Sequence, residues 1–473
     1  MELGLKRGVV KLADHNPEWK EFAVRTIEQL WRIFGSVATD IQHVGSTAIR
    51  GIKAKPIIDI AVAVEDFAEV ELLMPQLNEA GFFKSKLHAI ENDMLICDDN
   101  EIADTRSYHV HIVKVNSVQW NNYLNFRDYL NSMPDVAKEY ERLKVNLATK
   151  HPSDRNAYTD GKDGIVAHLL SEAQTWAMLH DIPGFNSFTQ VNPVTKGMSG
   201  DKKYYVETIG QKRLLLRVAD IAEYDLKKME YEVMQRAVSA GVPMSQTVDF
   251  GICNSGKSVY TLLTWIDGEN AEITLTKMSE AEQYNLGIKA GELLQIIHAI
   301  PAPKNAESWE GWFFCKVQDR INFYNTSPIK YENGNIIVHY LQDKRHLLNG
   351  RQQTFTHNDY TMSNLIVTPD GSINVIDFIC FNNGYGDPWW DFHPVLWDGE
   401  KNAHFFTGLV KGYFNGEPPC EFFDVLLYYF AYDVMTGIQI DPMNDKRHIN
   451  NIMSWLDNMK NPVPTWYSKG ELL

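Results

Sequence analysis

The chain has 473 residues, more than the roughly 250–300 that one hydrophobic core usually serves, and we therefore expect two domains. Its 44% hydrophobic and 22% charged residues exclude a disordered chain, and a formal net charge of −16 argues against a general nucleic-acid binder. The sequence contains no apolar run of transmembrane length, no signal-peptide pattern and no metal-site spacing among its five cysteines, so we expect a cytoplasmic protein without a membrane partner.

The N-terminal part has the pattern of a mixed helix and strand domain. Amphipathic spacing predicts helices over 19–34, 120–131 and 136–149. Runs of β-branched or alternating residues predict strands over 57–64 and 109–115. This half is therefore expected to be an α/β domain.

A domain boundary is predicted where Pro183 and Gly184 close a helical stretch and the polar segment 186–196 follows. The first domain then covers 1–182 and the second covers 183–473. Their unlike patterns, without any internal repeat, predict two different folds.

The second domain divides into a small mixed lobe over about 186–268 and a large, mostly helical lobe over about 269–473. The small lobe contains one predicted helix over 225–240. Its predicted strands share an alternating pattern and cover 202–208, 213–218 and 259–265.

The strongest motif of the chain is HNDYTMSN over residues 357–364, which is followed by Asp377 at the end of an apolar strand. Phosphoryl transfer requires a carboxylate at the attacking hydroxyl, with a carboxamide and a second carboxylate on metal ions. Asp359 fits the first requirement, and Asn364 and Asp377 fit the others. The motif therefore favours a kinase.

Together with the later run GDPWWD over residues 386–391, this motif resembles the aminoglycoside phosphotransferase, or phosphotransferase-enzyme, family, which has a bilobal protein-kinase-like fold. The resemblance covers about residues 190–400. It implies that Asp359 is the base or substrate orienter and that Asn364 and Asp377 hold Mg²⁺.

The resemblance also implies that Asp387 and Asp391 mainly brace the catalytic loop. On the nucleotide side it implies a glycine loop, a cation on the next strand and a glutamate that pairs with this cation. The residues that fit these positions are Gly197, Ser199, Gly200, Lys202, Arg217 and Glu230.

The implied reaction moves the γ-phosphate of ATP or GTP to a hydroxyl of a small molecule such as an aminoglycoside or an amino alcohol. A net charge of −16 favours a cationic acceptor. The aromatic and acidic run over 389–393 has two interpretations, a cage for an ammonium group or a packed helix face, of which packing is favoured. The oligomeric state is not predicted.

In the first domain, HVGSTA over 43–48, KAKPIIDI over 53–60 and His109-Val110-His111 resemble the GrpB family, which has a nucleotidyltransferase-like fold. The resemblance implies nucleotide or phosphate binding by Ser46, Lys53 and Lys55 and metal binding by Asp59. Ala61 occupies the expected second carboxylate position, so two-metal transfer is not favoured.

Besides nucleotide or phosphate binding, two interpretations of this domain remain open. Asp59 with His109 and His111 could bind one divalent metal, or Asp59 could be a hydrogen-bonded remnant in a structural module. For the whole chain, the alternatives to a kinase are a nucleotidyltransferase acting at Ser46 and Asp59 and a non-catalytic nucleotide-binding scaffold.

The fold class expected from these patterns is α+β in two domains, with a nucleotidyltransferase-like α/β domain followed by a bilobal protein-kinase-like domain.

Overall fold

The structure is a computed structural model that describes residues 3–6, 8–85, 93–98, 105–195, 200–328, 330, 334–379, 381–437 and 463–471. The chain forms two compact units, Met1–Phe185 and Asn186–Leu473. Their boundary lies three residues beyond the end of the predicted first domain. Among the described helices, none is both long and apolar enough to cross a membrane.

The N-terminal unit is built on a five-stranded sheet flanked by helices. The strands lie side by side in the order Ala38–Val44, Ile58–Val64, Tyr108–Lys114, Asp93–Cys97 and Phe83–Lys84. Only the second and third are parallel to each other. The unit's long helices are Glu18–Phe34, Phe67–Glu79, Val118–Ser132, Pro134–Lys150 and Arg155–Leu179, and a short ribbon pairs Leu5–Lys6 with Thr105–Arg106.

Alternation along the Ile58–Val64 strand separates two cores. Ile60 and its even-numbered neighbours pack with Trp19 and Leu30 of the first helix. Ala61 and Ala63 pack on the opposite face with Trp120. Asp59 lies on this second face because it is two residues before Ala61.

The C-terminal unit begins with an antiparallel five-stranded sheet rather than the three strands predicted. The order is Thr247–Cys253, Ser258–Thr264, Arg213–Asp220, Lys202–Thr208 and Phe188–Val194, and the helix Tyr224–Ser239 packs beside the first two strands.

The predicted polar segment after the boundary is in fact the edge strand Phe188–Val194. Proline is tolerated there because an edge strand can leave one row of backbone groups unpaired, and Pro193 lies opposite Tyr204.

The remainder of this unit is mostly helical. Its helices are Ala271–Leu275, Glu280–His298, Trp309–Thr326, Gly334–Asp343, Val395–Asp398, Ala403–Phe414, Phe422–Gly437 and Thr465–Lys469. Short strands at Glu269–Asn270, Leu365–Val367 and Ile373–Val375 form one small sheet, and Thr354–Phe355 pairs with Tyr385–Gly386. The observed mixture of helix and sheet in two units confirms the predicted fold class.

Two helices of the large lobe touch through glycines on both sides. A Cβ atom added at Gly291 of the Glu280–His298 helix would lie 2.2 Å from the carbonyl oxygen of Leu409. A Cβ atom at Gly408 of the facing helix would lie 2.2 Å from the carbonyl oxygen of Tyr284. Backbone therefore packs directly on backbone along this helix pair.

We predict that Gly291→Ala lowers the free energy of unfolding of the C-terminal unit by about 2 kcal/mol or more, because the new methyl group forces two rigid backbones apart. Chemical denaturation measures the change. The control is Gly210→Ala in a hairpin turn, where the added Cβ would meet only Thr208 Oγ1 at 3.9 Å and should have little effect. Equal stability of the two variants would contradict close packing of the helices.

Candidate functional site

The loop over residues 357–364 is held from inside by His357, which is fully buried. His357 Nδ1 accepts a hydrogen bond from the backbone N–H of Asp359 at 3.2 Å, and Nε2 donates to the carbonyl of Ile376 at 2.9 Å. Burial lowers the pKa of His357, so its imidazole is neutral and carries its proton on Nε2. His357 therefore orders the loop and does not act as an acid or base.

The carboxylate of Asp391 fixes the beginning of the same loop. Its oxygens accept hydrogen bonds from the backbone N–H groups of His357 at 2.6 Å and Asn358 at 2.7 Å. His298 Nε2 donates to it at 3.0 Å. Burial would raise the pKa of Asp391, but the hydrogen bond and charge of His298 outweigh burial and lower it. Asp391 thus braces the loop in the way the resemblance implied.

Two non-glycine residues at this site have left-handed backbones, Asn358 with φ 66° and Asp377 with φ 58°. The side chain of Asn358 donates to the carbonyl of Ile379 at 2.9 Å and accepts from Thr356 Oγ1 at 3.1 Å. The sequence prediction gave Asn358 no role, although asparagine is a residue that tolerates this backbone conformation. Such strain is common where a loop must present one side chain.

The three residues predicted for catalysis and metal binding in the C-terminal unit lie together. Asn364 Nδ2 donates to Asp359 Oδ2 at 2.7 Å and to the Asp359 carbonyl at 3.0 Å. The backbone N–H of Ile376 donates to the carbonyl of Asn364 at 2.9 Å, which brings the next residue, Asp377, beside the loop.

The oxygens left at this site fit a magnesium ion. Because Asn364 uses its amide nitrogen on Asp359, its Oδ1 remains available, and among the described contacts Oδ2 of Asp377 has no hydrogen-bond partner. Mg²⁺ prefers such oxygen ligands and usually keeps water and phosphate oxygens as its others. The described part of the chain contains no cluster of three or more His, Cys, Asp or Glu side chains suited to a metal.

Arg217, the residue predicted to be the cation on the nucleotide side, lies next to Asp377. Its Nη1 lies 2.5 Å from Asp377 Oδ1, and its Nε donates to Asp201 Oδ2 at 2.9 Å. Asp201 is almost completely buried and also contacts Lys227, at 3.0 Å. Asp201 had not been predicted as a site residue, because no spacing in the sequence links it to Arg217.

The predicted pairing of Arg217 with Glu230 is wrong, since the contacts of Arg217 are to Asp201 and Asp377. Glu230 forms its ion pair with Lys227 at 3.2 Å, because Lys227 lies one turn earlier on the same helix. Burial lowers the pKa of Arg217, and the charges of Asp377, Asp201 and Glu230 more than offset this effect. Glu230 therefore acts on Arg217 only through its charge.

The predicted phosphate loop is described only in part. Gly197 and Ser199 lie outside the described residues. Gly200 and Lys202 are exposed, and a Cβ atom added at Gly200 would meet no atom within 4 Å. Lys202 is the first residue of the Lys202–Thr208 strand and lies opposite Val218.

The tryptophans of the 389–393 run are packing residues. Trp389 is buried under the guanidinium of Arg351, which lies 3.7 Å from its ring centroid. Trp390 stacks on His393. Asp387 accepts two hydrogen bonds from Arg351, at 2.6 and 2.9 Å, and so fixes this region rather than touching the catalytic loop.

Besides Asp387, the acidic side chain of Asp433 lies close to this aromatic region. Asp433 Oδ2 is buried without a hydrogen-bond partner among the described residues. Burial raises the pKa of Asp433 to about 6, and the positive charges of His393 and Arg320 only partly oppose this effect. The sequence prediction missed Asp433, since one aspartate in an apolar helix carries no motif.

In the N-terminal unit, the predicted metal site at Asp59 is not formed by the described residues. His109 Nδ1 hydrogen-bonds Asp59 Oδ1 at 2.9 Å. His111 instead contacts Asp93, at 3.3 Å, and the hydroxyl of Tyr123, at 2.9 Å. The two imidazoles therefore serve different carboxylates, because the neighbouring strands on the two sides of His109 and His111 each provide one.

The other predicted residues of this unit have different surroundings. Lys53 is engaged by Asp14 at 2.8 Å and is not part of the Asp59 cluster. Ser46 follows Gly45, whose φ of 70° and lack of a side chain allow the turn to lie on the Asp59 carboxylate; an added Cβ would be 2.3 Å from Asp59 Oδ2. Lys55 lies over the ring of Tyr158.

Comparison with known proteins gives two matches that do not overlap. The family model described as GrpB protein matches residues 9–172, and that of the Phosphotransferase enzyme family matches residues 190–423. Glutamate-rich protein GrpB of Alkalihalophilus pseudofirmus is 40% identical over 36% of this chain and 99% of its own length. UPF0157 protein YqkA of Bacillus subtilis is 32% identical over 35% of this chain, which spans only 48% of that relative.

Among solved structures, a choline/ethanolamine kinase family protein from Mesorhizobium loti resembles this chain with 14% identity and a TM-score of 0.43, over 63% of this chain and 97% of that one. The two family models and the GrpB relative confirm the two resemblances seen in the sequence. The chain therefore belongs to the GrpB family through its N-terminal domain, which is joined to a C-terminal domain of the phosphotransferase-enzyme family.

Proposed function

We propose that the C-terminal unit transfers the γ-phosphoryl group of ATP or GTP to a hydroxyl of a small molecule, with Mg²⁺ as the metal. The observation that carries this proposal is the contact of Asn364 with Asp359 on a loop that Asp391 braces, with Asp377 held beside it. A carboxylate, a carboxamide and a second carboxylate in this arrangement are the groups that phosphoryl transfer requires.

Asp359 is the proposed base or substrate orienter. Its Oδ2 accepts a hydrogen bond from Asn364, so Oδ1 can accept the proton of an acceptor hydroxyl. Asn364 and Asp377 would hold the magnesium ion, which neutralises charge on the phosphates when bound. When the nucleotide binds, Arg217 would exchange its contact with the Asp377 carboxylate for a contact with a nucleotide phosphate, since a guanidinium binds both groups well.

The acceptor we propose is a cationic molecule such as an amino sugar or amino alcohol. Asp433 supports this choice, because a buried carboxylate without a hydrogen-bond partner is satisfied by an ammonium group. His393, whose charge acts on Asp433, is two residues beyond the loop-bracing Asp391.

The described residues do not favour nucleotidyl transfer at Ser46 and Asp59. Asp59 is engaged by His109, and Ala61 leaves no carboxylate at the expected second position. Binding of nucleotide without turnover remains the outcome that would favour a scaffold.

We predict that Asp359→Ala lowers kcat about 100-fold or more while the chain stays folded, because the acceptor hydroxyl loses its proton acceptor. A screen with a nucleotide labelled in the γ-phosphate, over aminoglycosides, amino sugars and amino alcohols, measures transfer. Asp370→Ala, in the exposed turn of the neighbouring hairpin, is the control and should keep full activity. Transfer that survives Asp359→Ala would remove Asp359 from the mechanism.

We also predict that Asp433→Asn raises KM for amine-bearing acceptors about tenfold or more with little change in kcat, because the variant loses a charge partner for the ammonium group. In the unaltered protein this attraction should weaken as pH falls through about 6, where Asp433 becomes protonated. Steady-state kinetics against pH measure both effects. Asp319→Asn, at an exposed position, is the control and should leave KM unchanged. Equal KM in the unaltered protein, Asp433→Asn and Asp319→Asn would exclude Asp433 from acceptor binding.

A further inference from the structure

Two lysines of the N-terminal unit lie on one aromatic ring. Lys55 Nζ is 4.1 Å and Lys162 Nζ is 4.7 Å from the ring centroid of Tyr158. Neither ammonium group makes a hydrogen bond or ion pair with another described residue. By contrast, Lys53 is paired with Asp14 and Lys138 with Glu141.

A third cation lies near these lysines. Arg155, Tyr158 and Lys162 share one face of the Arg155–Leu179 helix, since they are spaced by three and four residues. The charge of Arg155 acts on both Lys55 and Lys162. Three positive side chains are therefore gathered at the beginning of this helix.

The environment of this cluster makes its positive charge unfavourable. Burial is the largest cause that lowers the pKa of Lys55 to about 7, and the charges of Lys162 and Arg155 lower it further. The charge of Asp59 opposes these effects at Lys55, and at Lys162 the charges of Asp59 and Asp163 oppose the effect of burial. Half-buried cations that repel each other in this way are stabilised by a bound anion.

Hydroxyl donors lie close to the same carboxylate. The Gly45-Ser46 turn rests on Asp59, and the buried hydroxyl of Tyr140 hydrogen-bonds Ser46. On the other side of Asp59, the buried Nε2 of His109 has no hydrogen-bond partner among the described residues. Cations and hydroxyl donors thus converge where the sequence motifs of this unit meet.

We propose that the N-terminal unit binds the phosphate group of a small phosphorylated molecule between Lys55, Lys162 and the Gly45-Ser46 turn. A phosphate monoester carries up to two negative charges and three terminal oxygens, so it can neutralise both lysines and accept a bond from a hydroxyl at once. A carboxylate has fewer charges and oxygens and would leave one lysine unneutralised. This site is separate from the catalytic loop of the other unit.

Calorimetric titration of the full chain with inorganic phosphate tests the proposal. We expect saturable binding that Lys55→Ala and Lys162→Ala each weaken about tenfold or more, since each removes a charge-assisted contact. Lys53→Ala is the matched control, because this lysine is two residues from Lys55 but is paired with Asp14, and it should bind phosphate normally. Thermal unfolding of each variant verifies that it is folded.

The same titration in Arg217→Ala separates this site from the nucleotide side of the C-terminal unit. Phosphate binding should persist in Arg217→Ala, whether or not that variant retains phosphoryl transfer. Binding that Arg217→Ala abolishes, binding that both lysine variants retain in full, or no saturable binding to the unaltered chain would each overturn the proposal.

The pH dependence gives a second test with sulfate, whose charge does not change near neutral pH. The charged groups that act on Lys55 are Lys162, Arg155 and Asp59, and Tyr158 packs against it. Because only the protonated amine binds an anion, affinity should fall as pH rises through about 7, with proton uptake on binding. In Lys55→Ala this dependence should flatten. Affinity that is constant or rises with pH in the unaltered chain would contradict the site.

Discussion

The buried carboxylate of Asp391 is the contact on which the geometry of the catalytic loop depends. It accepts hydrogen bonds from two successive backbone N–H groups, those of His357 and Asn358, at the point where the backbone turns left-handed. A left-handed asparagine is unfavourable by itself, and charge-assisted hydrogen bonds to an ionised carboxylate offset that strain. His298 keeps Asp391 ionised although this carboxylate is buried.

From this anchor the rest of the site follows by short links. The His357 ring accepts a hydrogen bond from the backbone N–H of Asp359 and donates one to the carbonyl of Ile376. The carbonyl of Asn364 accepts a hydrogen bond from the backbone N–H of Ile376, and the side-chain amide of Asn364 donates to Asp359. Asp377 then meets Arg217 of the small lobe. One buried acid on a distant segment thus orients two acids and an amide without touching any of them.

The parts of the site that were predictable from the sequence are those fixed by local spacing. Asp359 and Asn364 are neighbours on one loop, and Asp377 closes a short hairpin, so these three positions follow from the chain itself. The partner of Arg217 could not be found in this way, because Lys227 competes for Glu230 within one helix and Asp201 reaches Arg217 from just before the neighbouring strand. Likewise, strand neighbours distant in sequence decide that His111 serves Asp93 rather than Asp59.

Fold prediction failed for a similar reason at the edge strand Phe188–Val194. Its polar residues and Pro193 are typical of a linker, and only pairing with the next strand makes it part of the sheet.

The net charge of the chain is equally uninformative about the charge of one local region. A chain with a formal charge of −16 still gathers Lys55, Lys162 and Arg155 at one place, because burial and neighbouring helices determine which charges meet.

The most direct measurement of the central claim is mass spectrometry of the product formed from a nucleotide that is isotopically labelled only in its γ-phosphate. The arrangement of Asp359, Asn364 and Asp377 predicts an acceptor that gains one labelled phosphate and a nucleoside diphosphate without label. An acceptor that gains an unlabelled nucleoside monophosphate, or bound nucleotide that is never turned over, would contradict the assignment of phosphoryl transfer to the C-terminal unit.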